Sequence, residues 1–378
     1  MNTANPIWQF SLNYFHAGLW LGSLLLALVV GVRSVNMRTL VGITLSITFG
    51  LIVLGAYVRL SDAGLGCPDW PGCYGQLSPL QAQSQIDQAT QAAPSGPVSM
   101  PKAWKEMIHR YIASLVGALI VAILIKTGLQ RQRQTWHPAA PRIKIALPIL
   151  LLAVVIMQGL FGKWTVTLLL KPAIVTGHLL GGMTLLALLT WFYQQLRDHA
   201  LGVQVQAIIR LRLWAIVGLI VLIAQIALGG WVSTNYAAAV CGELPTCQQA
   251  WLPPTDFTHG FQIMRELGKT AAGDHLSLAA LTAIHFTHRL FAILVLLIVG
   301  GLAWRARQLM ALRTLGTGLL LALAVQITLG LSVVVSMSHT HLHLVWQLPL
   351  AAAHNAGAAL LLVLLVSLNY KCYAASRE

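Results

Sequence analysis

Four histidines of this chain, His109, His178, His288 and His354, fall within long apolar stretches. An ionisable side chain at lipid depth is costly to hold, so its presence there points to function. A histidine hydrogen-bonded between two helices would account for one such residue, but poorly for four that form two equivalent pairs. Two imidazoles from facing helices can hold the iron of a porphyrin inside a bundle. Two pairs therefore predict two porphyrins, one in each half of the chain. Arg110 follows His109 and Arg289 follows His288. A guanidinium in that place can bind porphyrin propionates as a bidentate fork, or it can simply snorkel to the interface; the first is the expectation adopted. The halves differ at one place: Glu106 stands three residues before His109, whereas His285 stands three before His288. That spacing puts Glu106 on the helical face of His109, where it is a candidate proton carrier or charge stabiliser. The plainer reading is a helix-start glutamate favoured by the dipole. An asymmetry inside a matched pair suggests that one half catalyses and the other serves it.

The elements that must position these groups follow from composition. Of 378 residues, 24 are Lys or Arg and 10 are Asp or Glu, a net charge of +14; charged residues make up 9% and hydrophobic ones 57%. Soluble globular chains carry about 25% charged residues. With a mean hydropathy of +0.73, a soluble enzyme, a disordered protein and a disulfide-scaffold secreted domain are all excluded. Nucleic acid is not an expected partner. Nine stretches are long enough to cross a bilayer as helices: 15–32, 39–58, 107–129, 143–161, 172–195, 211–232, 281–304, 314–337 and 345–368. Unpaired backbone groups are not tolerated in lipid, so the fold class is an all-α polytopic membrane protein. The 15–32 stretch lacks a small-residue cleavage site and is read as a retained helix. Fifteen of the 24 Lys and Arg residues fall in segments that are cytoplasmic if the N-terminus lies outside and the C-terminus inside. Both members of each histidine pair then lie near the outer face. Porphyrins placed side by side there would not carry electrons across the membrane.

The chain also repeats itself. LGAYV at 54–58 recurs as LGGWV at 228–232; Cys67 and Cys73 recur as Cys241 and Cys247. Gln158-x3-Gly162-x3-Val166 recurs as Gln326-x3-Gly330-x3-Val334. Four helices per copy give both copies the same sense, so the repeat is parallel, about an axis along the membrane normal. Three regions are expected: an extra N-terminal transmembrane helix over 1–38, a four-helix half over 39–200 with a long outer loop 59–106, and a second over 201–378 with a loop 233–280. The Gln/Ala/Ser/Pro-rich stretch from Leu80 to Pro101 reads as a mobile surface segment. An outer location favours disulfides within each cysteine pair over zinc sites. They could be redox-active, but nothing in the sequence lowers a thiol pKa, and a loop brace is the reading adopted. His339, His341 and His343 alternate as in a metal tract, though solvated histidines would look the same.

Taken together, GAYVRLSDAGLGCPDWPGCYG, EMIHR, TGHLLGG, THR and AAAHN resemble the haem A synthase (Cox15/CtaA) family, particularly its proteobacterial members. The resemblance covers about residues 40–368. It implies an eight-helix duplicated bundle in a bacterial inner membrane. It also implies oxidation of the C8 methyl of haem O to a formyl group, giving haem A for terminal oxidases. Carried over by motif, His109 and His178 would flank the substrate haem O, and His288 and His354 would ligate a haem b cofactor. Glu106 would be the carboxylate next to the substrate. The expected partners are haem O, haem A and an unidentified electron donor or acceptor. Haem O synthase, cytochrome oxidase assembly factors and a second copy of the chain are further options. The extra helix and the long first loop depart from the family pattern. Two competing classes stand beside this one. A non-catalytic di-haem b cytochrome exchanging electrons with quinol would need no carboxylate beside one haem. A repeat-built transporter should bind at the midplane through broken helices.

Overall fold

A computed structural model describes residues 34–134, 145–197, 204–338 and 340–377. Eight of its helices are long and apolar enough to cross a membrane: α1 (Met37–Leu60), α2 (Met100–Gln134), α3 (Ala146–Thr167), α4 (Pro172–Gln195), α5 (Arg212–Thr234), α6 (Leu278–Gln308), α7 (Arg313–Ser338) and α8 (Thr340–Ala375). No β-strand occurs among the described residues. The fold is an all-α polytopic bundle, and eight of the nine predicted spans coincide with these helices. The 15–32 span lies outside the described residues, as do His137, His199 and the start of the His339-x-His341-x-His343 run.

The sequence starts and satisfies these helices locally. Asn36 caps α1 by accepting the Arg38 N–H at 2.9 Å. Ser277 caps α6 through the Ala280 N–H at 3.2 Å, and Pro172, whose missing N–H costs nothing in a first turn, opens α4. Hydroxyls inside the spans turn back on their own helix: Thr44 Oγ1 donates to the Leu40 carbonyl at 2.8 Å, and Thr48 Oγ1 to that of Thr44 at 2.7 Å. Without water to serve as partner, this is how a polar side chain survives in hydrocarbon.

Helices α2 and α6 begin earlier than hydropathy suggests. The apolar runs start near 107 and 281, but the helices start at Met100 and Leu278. The first turns of α2 are polar and stand beyond the apolar slab, which a hydropathy window does not score. His109 and His288 consequently lie nearly three turns into their helices. The stretch from Leu80 to Pro101 also departs from expectation. It folds as a helix, Gln83–Ala92. Ala82 and Ile86 are wholly buried against Cys67, Cys73, Ala103 and Met107. One isoleucine in an otherwise polar segment is enough to seat it.

The packing follows the repeat. Helices α1 to α4 pack around one another, as do α5 to α8, and the two sets join where α4 meets α5, α8 meets α1 and α4 meets α8. Residues at equivalent positions meet across this join, with the repeat offset of 174 between them. Arg59 Nη2 donates to the Ser233 carbonyl at 2.9 Å, and the Tyr236 hydroxyl donates to Asp62 Oδ1 at 2.7 Å. The Arg59 guanidinium also lies 4.2 Å from the centre of the Tyr236 ring. Burial pushes the Tyr236 phenol above its ordinary pKa, which keeps it a donor. Contact between equivalent positions is what an axis running between two copies requires.

The tightly packed apolar core lies at the other end of the bundle. Val116, Ile120, Ile123, Leu189 and Phe192 fill it in the first four helices. Val299, Leu302, Leu319, Leu362 and Leu365 do so in the last four.

In the loops, Cys67 is bonded to Cys73 and Cys241 to Cys247, while Cys372 is free and buried at the end of α8. Peptide mapping under non-reducing conditions should recover these two bonds with no cross-pairs. Cys372 should resist a maleimide until the protein is denatured. Four free thiols in protein purified from its own membrane would contradict the loop structure.

Candidate functional site

Each of the four histidines rests where a neighbouring helix has no side chain. A Cβ built on Gly55 of α1 would lie 3.0 Å from His109 Nε2, and one on Gly162 of α3 would lie 3.8 Å from His178 Cε1. On Gly229 of α5 it would lie 3.1 Å from His288 Cε1, and on Gly330 of α7 3.0 Å from His354 Cε1. In every case the glycine lies on the helix that precedes the histidine's own spanning helix. These glycines are the shared centres of the two internal repeats, LG(A/G)xV and Q-x3-G-x3-V. The repeats singled them out, but only the structure shows what they do, which is to seat an imidazole.

The seating brings the rings of His109 and His178 together edge-on, with centroids 6.4 Å apart and planes inclined by 71°. His288 and His354 are close enough to interact electrostatically. The Nδ1 atoms of His178, His288 and His354 are buried and have no hydrogen-bond partner among the described residues. An orphaned buried ring nitrogen calls for an explanation, and an absent ligand is one. Among the described residues no group of three or more His, Cys, Asp or Glu could hold a metal ion. Two facing imidazoles suit a metal that brings its remaining ligands in a macrocycle, so the residues fit a porphyrin iron.

Above each pair sits a disulfide loop, and the two loops share a construction finer than the cysteine spacing revealed. Cys73 and Gln76 exchange both backbone hydrogen bonds, as do Cys247 and Ala250. The two residues between them have positive φ in each loop, 52° and 72° at Tyr74 and Gly75, 52° and 61° at Gln248 and Gln249. Asp69 accepts the turn amides of Tyr74 and Gly75 at 2.6 Å each, and its counterpart Glu243 accepts that of Gln249 at 2.9 Å. The carboxylates thus take the place of a backbone acceptor for a strained turn. Gly66 fits the first loop against α2, since a Cβ there would lie 2.6 Å from the Lys102 carbonyl carbon.

Arg110 and Arg289 fasten these loops to the helices. Arg110 Nη1 donates toward the carbonyls of Asp69, Pro71 and Gly72, and Nη2 pairs with Glu106 Oε1 at 2.6 Å. Arg289 reaches the carbonyls of Cys241, Glu243 and Thr246. The loop carbonyls are thus partners of both arginines that the sequence did not suggest. Sequence could not show this, since a backbone acceptor leaves no residue-type signature.

Glu106 is buried, 5% exposed, and it belongs to the same clamp. Its Oε1 holds Arg110 and its Oε2 accepts the Cys67 N–H at 2.9 Å. In the other half His285 takes this position: Nδ1 donates to the Ala237 carbonyl at 2.9 Å, and Nε2 accepts from Arg289 Nε at 3.2 Å. Both ring nitrogens of His285 are therefore used within the protein. Glu106 and His285 are each one helical turn from the arginine they hold, but only Glu106 is a carboxylate, three residues before His109 on the same helix.

Matching against known families and proteins agrees along almost the whole chain. Residues 38–366 match the family model COX15-CtaA, described as a cytochrome oxidase assembly protein. A protein of Shewanella oneidensis named heme A synthase is 40% identical over 339 residues, covering 88% of this chain and 95% of that protein. Heme A synthases of Caulobacter vibrioides and Halalkalibacterium halodurans are 27% and 22% identical over 356 and 277 residues. The first covers 87% of this chain and 94% of its own length, the second 71% and 76%.

The clamp makes a crossed prediction. Arg110→Ala should expose Cys67–Cys73 to an added thiol and leave Cys241–Cys247 as slow as before; Arg289→Ala should do the reverse. Losing hydrogen bonds to a charged group costs about 1.5–3 kcal/mol, so reduction should quicken roughly ten-fold or more. Equal reduction rates in both loops of both variants would show that the arginines do not hold them.

Proposed function

The chain belongs to the COX15-CtaA family, and on that footing we propose that it is a haem A synthase, oxidising the C8 methyl of haem O to a formyl group. The observation that carries this reading is the set of four glycine-seated histidines at repeat-matched positions, in a chain that aligns with a heme A synthase over 95% of that protein's length. The relatives above are named for synthase activity, which favours this reading over the di-haem cytochrome.

Within it, His109 and His178 flank the substrate haem O, and His288 and His354 hold a haem b. When bound, that haem b supplies a one-electron redox centre, which no side chain here can replace. The protein's own part is positional. The four glycine seats fix where the imidazoles stand, and the apolar walls exclude water. The clamped loops close the end of the bundle at which both pairs lie. Glu106, one turn before His109 and tied at both oxygens, is the group placed to take a proton or to stabilise positive charge as the methyl carbon gives up electrons to the acceptor, takes its oxygen from O2 or water, and passes through an alcohol to the aldehyde. Arg110 and Arg289 act by holding the loops and, in the first half, by holding Glu106.

The proposed setting is the bacterial plasma membrane, with the disulfide loops outside. The Lys and Arg distribution supports this orientation, and an oxidising exterior suits both disulfides. Haem O and haem A are the proposed substrate and product. The electron acceptor is a partner still to be identified.

Two measurements test the proposal. Cells that make haem O should contain haem A only when they also express this chain, and purified protein should carry haem B together with haem O or A. Haem B alone would favour the cytochrome. His288→Ala and His354→Ala should strip the b-type pigment. Glu106→Gln should keep it while haem A formation falls on the order of 10²–10⁴-fold, the usual cost of a lost proton-transfer group. Normal haem A output from Glu106→Gln would reduce the residue to its place in the loop clamp.

A further inference from the structure

Beyond the histidines and their glycines, one kind of polar side chain recurs at the paired sites: glutamine four residues before the seat. Gln158, Gln225 and Gln326 each precede a seating glycine in the pattern Gln-x3-Gly, at Gly162, Gly229 and Gly330. The fourth helix breaks the pattern, since four residues before Gly55 stands Leu51. Leu51 and Gln225 are separated by the repeat offset of 174, so they occupy the same place in the two copies.

What the glutamines touch differs between the copies as well. Gln225 Nε2 lies 3.2 Å from the His288 carbonyl and 3.5 Å from its ring Nε2. Gln326 Nε2 lies 3.4 Å from His354 Nε2. Both carboxamide oxygens, Gln225 Oε1 and Gln326 Oε1, are buried without a partner among the described residues, beside imidazoles whose Nδ1 atoms are in the same condition. Gln158 packs over Gly181 much as Gln326 packs over Gly357, yet no hydrogen bond joins it to His178 among the described residues. On the α5–α8 side each histidine thus has a carboxamide in hydrogen-bond reach of its ring, and on the α1–α4 side no such bond is made among the described residues.

A metal-bound imidazole keeps one ring N–H, and an acceptor for it fixes the ring and strengthens the ligand. In Gln326 a half-turn that exchanges oxygen and nitrogen offers that acceptor. In Gln225 the amide stays on the His288 carbonyl, and its unpartnered oxygen offers the acceptor by tilting toward the ring. Leucine offers none. We infer that Gln225 and Gln326 are positioning residues that hold His288 and His354 for a porphyrin that stays. By the same reasoning, Leu51 leaves His109 without such a partner, so the porphyrin of the first pair can come and go. The inference rests on the proposed division between a resident cofactor and a substrate. It adds the means by which one fold, used twice, keeps one porphyrin and turns over the other.

The test uses the full-length protein in detergent, carrying both porphyrins, mixed with excess apomyoglobin as haem acceptor. Mass analysis of the transferred pigment separates haem B from haem O or A. In the unaltered protein haem O or A should leave faster than haem B. Gln225→Leu should speed haem B loss about 10–100-fold, the usual effect of removing a ligand's outer partner. It should also shift the midpoint potential of the b-type haem. Gln225→Glu, which keeps an acceptor for the ring but gives up the bond to the His288 carbonyl, should lose haem B more slowly than Gln225→Leu. The reciprocal Leu51→Gln should slow release of haem O or A while haem B loss is unchanged, and it tests the idea even if Gln225→Leu does not fold. Unaltered loss rates and potential in Gln225→Leu and Leu51→Gln would overturn the inference and leave the synthase reading intact. Preparations of unaltered protein that hold no haem B would overturn that reading instead.

Discussion

Everything else in this protein is arranged around the need to place an imidazole ring against a helix backbone. A ring standing between two helices needs either a wider gap or a missing side chain, and this bundle uses the missing side chain four times. Gly55, Gly162, Gly229 and Gly330 let the helices stay close while the rings sit between them. Close helices in turn keep lipid and water away from the ring nitrogens. Small residues at helix contacts are the general device by which membrane helices approach one another. Here the approach makes room for a functional side chain as well as for a backbone.

The division of labour along the bundle axis follows from this. The end that holds the rings has only small clusters of buried apolar side chains, so stability has to come from elsewhere. It comes from the opposite end, where branched and aromatic side chains such as Ile120, Leu189, Phe192, Leu312 and Leu365 are almost wholly buried. At the ring end, order is restored by the loops instead: a disulfide, a tight turn held by Asp69 or Glu243, and an arginine that gathers three carbonyls. Neither end would serve alone, since a fully packed bundle has no room for a large planar ligand and a fully open one has no core.

Much of this is legible in the residues. Eight spans, the duplication, the two cysteine pairs and the matched histidines all come from residue types that hydropathy and spacing score directly. The helix starts at Met100 and Leu278 are not, because a hydropathy window stops where the slab stops and a helix need not. The segment around Ile86 departs from expectation for a related reason: polar composition is averaged over many residues, whereas docking there depends on one. Arg110 and Arg289 show the sharpest limit. Their position next to a histidine is visible in sequence, but what they bind is a set of main-chain oxygens, and main-chain oxygens are the same at every residue. Leu51 shows the reverse. Its departure from Gln-x3-Gly stands in the sequence, yet it acquires meaning only once Gln225 is seen at the ring of His288.

The latch between the two sets of helices carries a consequence for the chain as a whole. Arg59 and Ser233 occupy one place in the duplicated plan, and Asp62 and Tyr236 another, and each meets its counterpart rather than itself. Were two copies of the first set to associate about the same axis, arginine would face arginine and aspartate would face aspartate. Two copies of the second would oppose serine to serine and tyrosine to tyrosine, with no charge to share. Only the mixed arrangement has a cation, an anion, a ring and a hydroxyl where each can be used. The two sets thus complement one another at this place: where two copies of either would repeat one side chain against itself, the joined chain sets a cation and an anion against a ring and its hydroxyl.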